Sequence, residues 1–252
     1  MSYKILVIGD SCIDRFHYGT VDRICPEAPC PVFLPTYQTE NYGMALNVYN
    51  NIVGLARLWG KDVKVHKVTN AKHPVKTRYV EERSNQMIMR EDVDDIIQPV
   101  KLGSYNIDWD SFDCTIVSDY NKGFLSEEKM HDISLMSKLC FLDTKKQLGE
   151  WANQYDFIKI NNYEWDKSKH TNHSGIWNNR VIITKGKDGA EYNGKQYPAS
   201  EVKNVVDISG AGDTFLASLA FQYLITGSIH EAIKLSNEAA GLVISKKGVS
   251  VI

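Results

Sequence analysis

The sequence predicts an α/β domain built on a mostly parallel sheet, and three observations carry this. Ile5-Leu6-Val7-Ile8 is an unbroken apolar run that stops at Gly9-Asp10, as a strand buried on both faces does. Similar runs recur at 114–118, 140–143, 157–161 and 181–184. Helix-like stretches lie between several of them, and strands alternating with helices imply crossover connections. Ligands of such sheets gather at the carboxyl ends of the strands. Asp10, Asp119, Asp143, Asn161 and Thr184 are therefore expected along one edge.

After the first strand, the stretch 18–39 breaks the pattern. It holds Pro26, Pro29, Pro31 and Pro35 among short apolar pieces. Proline cannot donate to a ladder, so a β flap fits better than a core strand. Ser126 can cap a helix with Glu127 and Glu128 in its first turn, running towards Lys138. Between 191 and 199, Asn193-Gly194 sits between short alternating segments and signals a hairpin. From Phe215 to Leu224 apolar residues keep helical spacing as far as Gly227, a fitting C-cap.

The whole chain of 252 residues reads as one domain with a flap, because no repeat, low-complexity tract or linker interrupts it. Hydrophobic residues at 43% and charged residues at 24% are ordinary for a globular protein. A net charge of −2 gives no footprint for nucleic acid. No apolar run reaches the ~18 residues of a membrane span, and the start lacks the apolar core of a signal peptide. The five cysteines include no CxxC pair, so free thiols in a reducing cytoplasm are expected, without a structural zinc site. His17, His66 and His73 show no metal-ligand spacing.

The chemistry concentrates at the entrance of this apolar helical segment, Ser209-Gly210-Ala211-Gly212-Asp213. Glycines there let backbone N–H groups converge without obstruction, and the helix dipole adds roughly half a positive charge. Phosphate is the usual occupant of such a place. A carboxylate at its rim suits a base that takes the proton of a hydroxyl attacking the held phosphoryl group. Taken alone, Gly-Ala-Gly-Asp also fits a plain turn and cap. It is neither a Walker loop nor a full dinucleotide fingerprint.

Residues 207–214, Asp-Ile-Ser-Gly-Ala-Gly-Asp-Thr, resemble the DTxGAGD signature of the ribokinase-like (PfkB) carbohydrate kinases. The opening ILVIGDSCIDRFHYGTVDRICPEAPCPVF, with SDYNKGFLS, FLDTKK and KINNYEW, resembles the branch that phosphorylates D-glycero-D-manno-heptose 7-phosphate to the 1,7-bisphosphate. The resemblance runs in order from Ile5 to Val251. It implies a three-layer α/β/α fold, ATP as co-substrate, and a flap over 18–39 that covers the sugar and pairs two copies as a homodimer. It implies Asp213 as catalytic base, with Gly210, Ala211 and Gly212 as the anion hole. It gives Asp14, Gly43 and Asn47 to the sugar, although Met44 stands where that branch has a second glycine. Lys122 either grips the phosphate already on the sugar or is simply solvated.

Asn161 and Glu164 match an NxxE motif that suits Mg²⁺, the plain alternative being a helix cap with a surface glutamate. Thr184, Gly186 and Gly189 match the nucleotide loop, and Asn237 the adenine pocket. A potassium-type site near Asp207 and Ser250 is implied as well. The stretch 60–77 is shorter than its counterpart in the family, so a strand–helix segment is expected to be cut down. No His-x-Gly-His segment occurs, so the nucleotidyltransferase activity often fused to that branch is not expected. Two alternatives stand beside the heptose kinase: a kinase of another sugar or nucleoside, and a silent sugar- or nucleotide-binding protein. Retention of Asp213 argues against the second, because binding alone needs no base.

Overall fold

The computed structural model describes residues 2–170, 174–177, 179–202 and 204–252. Its strands are β1 (Tyr3–Gly9), β2 (Ser11–Ile24), β3 (Pro31–Met44), β4 (Val63–Thr69), β5 (Val75–Glu81), β6 (Gln86–Val93), β7 (Cys114–Asp119), β8 (Cys140–Thr144), β9 (Phe157–Asn161), β10 (Val181–Thr184), β11 (Ala190–Tyr192) and β12 (Lys195–Tyr197). Its α-helices are α1 (Ala45–Leu58), α2 (Glu127–Met136), α3 (Asn162–Ser168), α4 (Ser174–Trp177), α5 (Ala211–Thr226) and α6 (Ile229–Ile244).

Eight strands form the main sheet in the order β12-β11-β10-β9-β8-β7-β1-β4. From β4 to β10 every pairing is parallel, and β11 and β12 close one edge as an antiparallel hairpin. The apolar run of β1 is unbroken because both of its faces are covered. Ile5 and Val7 pack in one core with Val48 and Ile52 of α1, Leu216 and Leu219 of α5, and Ile233 of α6. Leu6 and Ile8, alternating with them, pack in a second core with Met130 and Ile133 of α2 and with Trp151 and Trp177. This is the three-layer α/β/α arrangement.

Helix α5 is buried from Asp213 to Gln222, which explains why it is apolar all round rather than striped. It begins at Gly210 (φ 82°) and ends at Gly227 (φ 67°), both left-handed. The Ser126 hydroxyl accepts from the Lys129 N–H at 3.2 Å and caps α2, as expected. Asn193 (φ 50°) and Gly194 (φ 73°) make the expected tight turn between β11 and β12.

The flap is larger than the sequence suggested. Its hairpin runs from Ser11 to Met44, not only over 18–39, and β5 and β6 complete a four-stranded sheet in the order β3-β2-β5-β6. The proline signal picks out only β3, which is an edge strand and so tolerates Pro31 and Pro35. β6, QMIMREDV, is mostly exposed and lacks an apolar face that would betray it. Residues 70–74 alone join β4 to β5, with no helix between them.

Candidate active site

The carboxyl ends of β1, β7, β8, β9 and β10 do lie along one edge, and α5 points its first turn at them. Asp213 is 3% exposed there. Its Oδ1 accepts from the Tyr120 hydroxyl at 2.7 Å and its Oδ2 from Asn47 Nδ2 at 3.1 Å. Burial pushes its pKa up to about 6, against the two hydrogen bonds and the Lys159 charge, and Asp143 adds to the rise. A carboxylate so placed is ionised at neutral pH yet basic enough to take a proton.

The Gly210–Gly212 turn is shaped by close contacts. A Cβ on Gly210 would meet Asn47 Nδ2 at 2.7 Å, so glycine is required there for space as well as for its φ. A Cβ on Gly212 would meet Lys159 Nζ at 3.2 Å. The first turn of a helix leaves N–H groups without intrahelical partners. The Ala211 amide is already weakly engaged with the Ile208 carbonyl at 3.3 Å.

On one side of Asp213 lies the four-stranded flap sheet. Asp14 on β2 is buried, ion-paired to Arg78 of β5, and accepts from Cys12 Sγ at 3.6 Å. A Cβ on Gly43 would come within 2.0 Å of Asp14 Oδ2, so glycine is required at 43 as long as Asp14 stays. Met44 is buried with φ 60° and ψ −134°, a backbone conformation that suits glycine. It stores strain of order 1–3 kcal/mol. Lys122 is ion-paired to Asp95, and Lys76 Nζ lies 3.8 Å from the other oxygen of the same carboxylate. Lys76, Arg78 and Lys122 thus share Asp14 and Asp95, which leaves a positive excess.

On the other side a cavity of about 810 Å³ opens between the sheet edge and α6. Thr184, Gly186 and Asn237 line it, with Gly212, Lys145 and Lys159 near the base. Asn237 also donates to the Tyr197 and Pro198 carbonyls, both at 3.0 Å, and so holds the wall in place. Gly189 does not line the cavity. It turns the chain behind it at φ 87°, where a Cβ would meet the Tyr197 carbonyl oxygen at 2.1 Å.

Between the two sides lies a buried charge cluster. Lys159 Nζ is 2.6 Å from Asp143 Oδ2. Lys145 Nζ is 3.6 Å from Asp143 Oδ1, 2.6 Å from Glu164 Oε1 and 5.1 Å over the Tyr120 ring. Burial opposes the Lys145 charge, but Asp143 and Glu164 outweigh it and hold the pKa above the usual lysine value. Burial likewise opposes ionisation of Asp143, and Lys145 and Lys159 overcome it and keep its pKa low.

Asn161 and Glu164 form a reciprocal cap of α3. The Glu164 N–H donates to Asn161 Oδ1 at 2.9 Å and the Asn161 N–H to Glu164 Oε2 at 2.8 Å. Glu164 is buried rather than a surface group. Among the described residues no group of three or more His, Cys, Asp or Glu could enclose a metal ion. Mg²⁺ asks for less, one or two carboxylates with water and substrate phosphates. Asn161 lines the cavity and Glu164 lies behind it, its Oε1 already held by Lys145 at 2.6 Å and by Asn161 Nδ2 at 2.9 Å, so the pair fits that role through the water shell of the ion. Asp207 and Ser250 are engaged locally, Asp207 with the Ser209 N–H at 2.8 Å and the Ser250 hydroxyl with the Lys247 carbonyl at 3.1 Å.

The model of the pfkB family of carbohydrate kinases matches residues 126–251, which include Asp213, the NxxE pair and the cavity wall. The chain belongs to this family. Among curated relatives, the bifunctional protein HldE of Hyphomonas neptunium is 26% identical, covering 99% of this chain and 61% of that protein. The chain thus spans about three-fifths of the length of such bifunctional relatives. The D-beta-D-heptose 7-phosphate kinase of Bordetella bronchiseptica is also 26% identical, with 99% of this chain and 93% of that protein covered. Ribokinase of Thermotoga maritima shares the fold at a TM-score of 0.69 and 15% identity, over 99% of this chain and 95% of that one. The ribokinase-like architecture expected from the sequence is borne out.

Four residues that the sequence reading did not single out lie at this candidate site: Arg78, Tyr120, Lys145 and Lys159. Two had a signal. Lys159 is a charge between Ile158 and Ile160 in the strand Phe157–Asn161, and such a lysine is buried only when paired. Lys145 follows the carboxyl end of β8, where the edge rule already pointed. Arg78 and Tyr120 had none, because their importance comes from partners remote in sequence. Asp10 and Asp119 reach the edge, but they shape loops. Asp10 accepts from the Tyr120 N–H at 2.6 Å, and Asp119 from Lys146 Nζ at 2.7 Å.

Proposed function

We propose that this protein is an ATP-dependent sugar kinase that transfers the γ-phosphoryl group to a hydroxyl of D-glycero-D-manno-heptose 7-phosphate. The observation that carries the reading is Asp213, a buried base with a raised pKa at a helix N-terminus, set between the 810 Å³ cavity and the Asp14 pocket. ATP occupies the cavity with its terminal phosphate at Gly212. The sugar is gripped by Asp14 and Asn47. Asp213 takes the hydroxyl proton as the oxygen attacks γ-phosphorus, and the β–γ bridging oxygen leaves with ADP. The Gly210–Gly212 turn and the Lys159 ammonium stabilise the charge on the phosphoryl oxygens. Glu164 and Asn161 would hold Mg²⁺, which neutralises phosphate charge when bound.

The heptose phosphate is favoured over a bare sugar by the positive excess of Lys76, Arg78 and Lys122, and by the heptose 7-phosphate kinase among the relatives. Met44 favours a different acceptor, since a bulky residue stands where backbone would approach the sugar. ADP release from the purified protein against a panel of sugars and sugar phosphates decides. The heptose 7-phosphate should react fastest, and excess EDTA should abolish the reaction. Turnover undiminished in EDTA overturns the metal assignment, and ADP release that no sugar stimulates overturns the kinase.

The flap sheet exposes Ile24, Leu34, Met87 and Met89, and its edge strand β3 is uncovered. A homodimer through this element is expected. Sedimentation at micromolar concentration should give twice the 28.5 kDa chain mass, and a monomer overturns it.

A further inference from the structure

A hydrogen-bond relay behind the base has a direction fixed at its far end. Asn47 and Asn51 lie one turn apart on α1 and are fully buried. Asn51 Nδ2 donates to the Asn47 backbone carbonyl at 2.9 Å and to Asn47 Oδ1 at 3.0 Å. Asn51 Oδ1 accepts from the Ile252 backbone N–H at 3.2 Å. A backbone carbonyl can only accept and a backbone N–H can only donate. The Asn51 amide therefore has one allowed orientation. Its NH₂ then meets Asn47 Oδ1, which turns the Asn47 NH₂ towards Asp213 Oδ2 at 3.1 Å and, at a longer 3.5 Å, towards the Gly210 carbonyl.

We propose that Asn51 is a positioning residue for phosphoryl transfer, holding the Asn47 amide so that it presents N–H, not C=O, to the Asp213 carboxylate. This rests on the reading of Asp213 as the base. A donor at Oδ2 favours the ionised carboxylate, whereas a reversed Asn47 would place its oxygen against Asp213 and favour the protonated form, which cannot accept the hydroxyl proton. Other groups act on Asp213 from the surrounding elements: the Tyr120 hydroxyl after β7, Asp143 on β8, Lys159 on β9, and Cys12 on β2 and Lys145 after β8, both of which feel its charge. None of them is hydrogen-bonded to Asn51, so the direct route from position 51 to the base runs through Asn47, and the Ile252 bond, which ties down the C-terminal segment near Gly210, is kept in Asn51→Asp.

The test is the pH dependence of kcat/KM for the wild type, Asn51→Asp, Asn51→Leu and Asp213→Asn. Asn51→Asp keeps the shape and the Ile252 bond but only accepts towards Asn47, so the Asn47 NH₂ turns away from Asp213. Its acid limb should move to higher pH by about one unit or more, with kcat/KM about fivefold or more down at pH 6 and recovering by pH 9. Asn51→Leu, which buries no new charge, removes the donor and should move the limb in the same direction by less. KM for ATP should stay unchanged, because neither asparagine lines the cavity. Loss by one factor at every pH, with the limb unmoved in both variants, overturns the proposal and leaves Asn51 a packing residue. Asp213→Asn separates the two levels. Near-native turnover there removes the base itself, and a deep loss there with parallel Asn51 profiles removes only the relay.

Discussion

Asp213→Asn is expected to lower phosphoryl transfer by ~10²-fold or more, the scale of a general base. Asparagine keeps the side-chain shape and can still accept from Asn47 while donating to the Tyr120 hydroxyl, so affinities for ATP and sugar should change little. Stability should respond in the opposite sense. The Asp213 pKa is pushed up to about 6 by burial, whereas an unfolded aspartate titrates near ~3.9. Between those values the native state binds more protons, so folding stability is highest below the unfolded pKa. It falls as pH rises through about 6 and is constant above. The ionised group costs at most about 3 kcal/mol there. The asparagine variant escapes that cost, so it should melt no lower than wild type at pH 7.5 and lose any advantage towards pH 4. A variant with near-native melting and near-native turnover overturns the mechanism.

Much of this was legible because parts of the fold write themselves locally. β1, β7, β8, β9 and β10 are covered on both faces, so burial left continuous apolar runs. Gly210 and Gly227 had to be glycine for their φ, and Asn193-Gly194 for its turn. The flap was only half legible. β2 and β3 carry glycine and proline punctuation, but β5 and β6 hold Lys76, Arg78, Arg90 and Asp92, whose charges hide a strand with one wet face. At the site, a motif located Asp213, Asn161 and Glu164, but no local pattern encodes an ion pair. Arg78 meets Asp14 across 64 positions and Tyr120 meets Asp213 across 93. Glu164 does cap α3, but as a buried group against Lys145 rather than a surface glutamate, which no local pattern announces.

Lys159 is where structure and catalysis are hardest to separate, and two variants separate them. Lys159→Met leaves the buried Asp143 carboxylate with only Lys145, 3.6 Å from its Oδ1, which makes no hydrogen bond there. Breaking a buried pair from one side costs ~3–5 kcal/mol. For a chain of this size the melting temperature should fall by roughly 6–20 °C. Turnover should fall as well, by ~10²–10³-fold, because the ammonium beside Gly212 offsets charge that develops on the transferred phosphoryl group. The double variant Asp143→Asn/Lys159→Met removes both charges together, so most of the stability should return. Turnover should not, since the cation at the anion hole is still missing. Recovery of both in the double variant would make the pair a structural device, and the phosphoryl charge would then rest on the Gly210–Gly212 turn and Lys145.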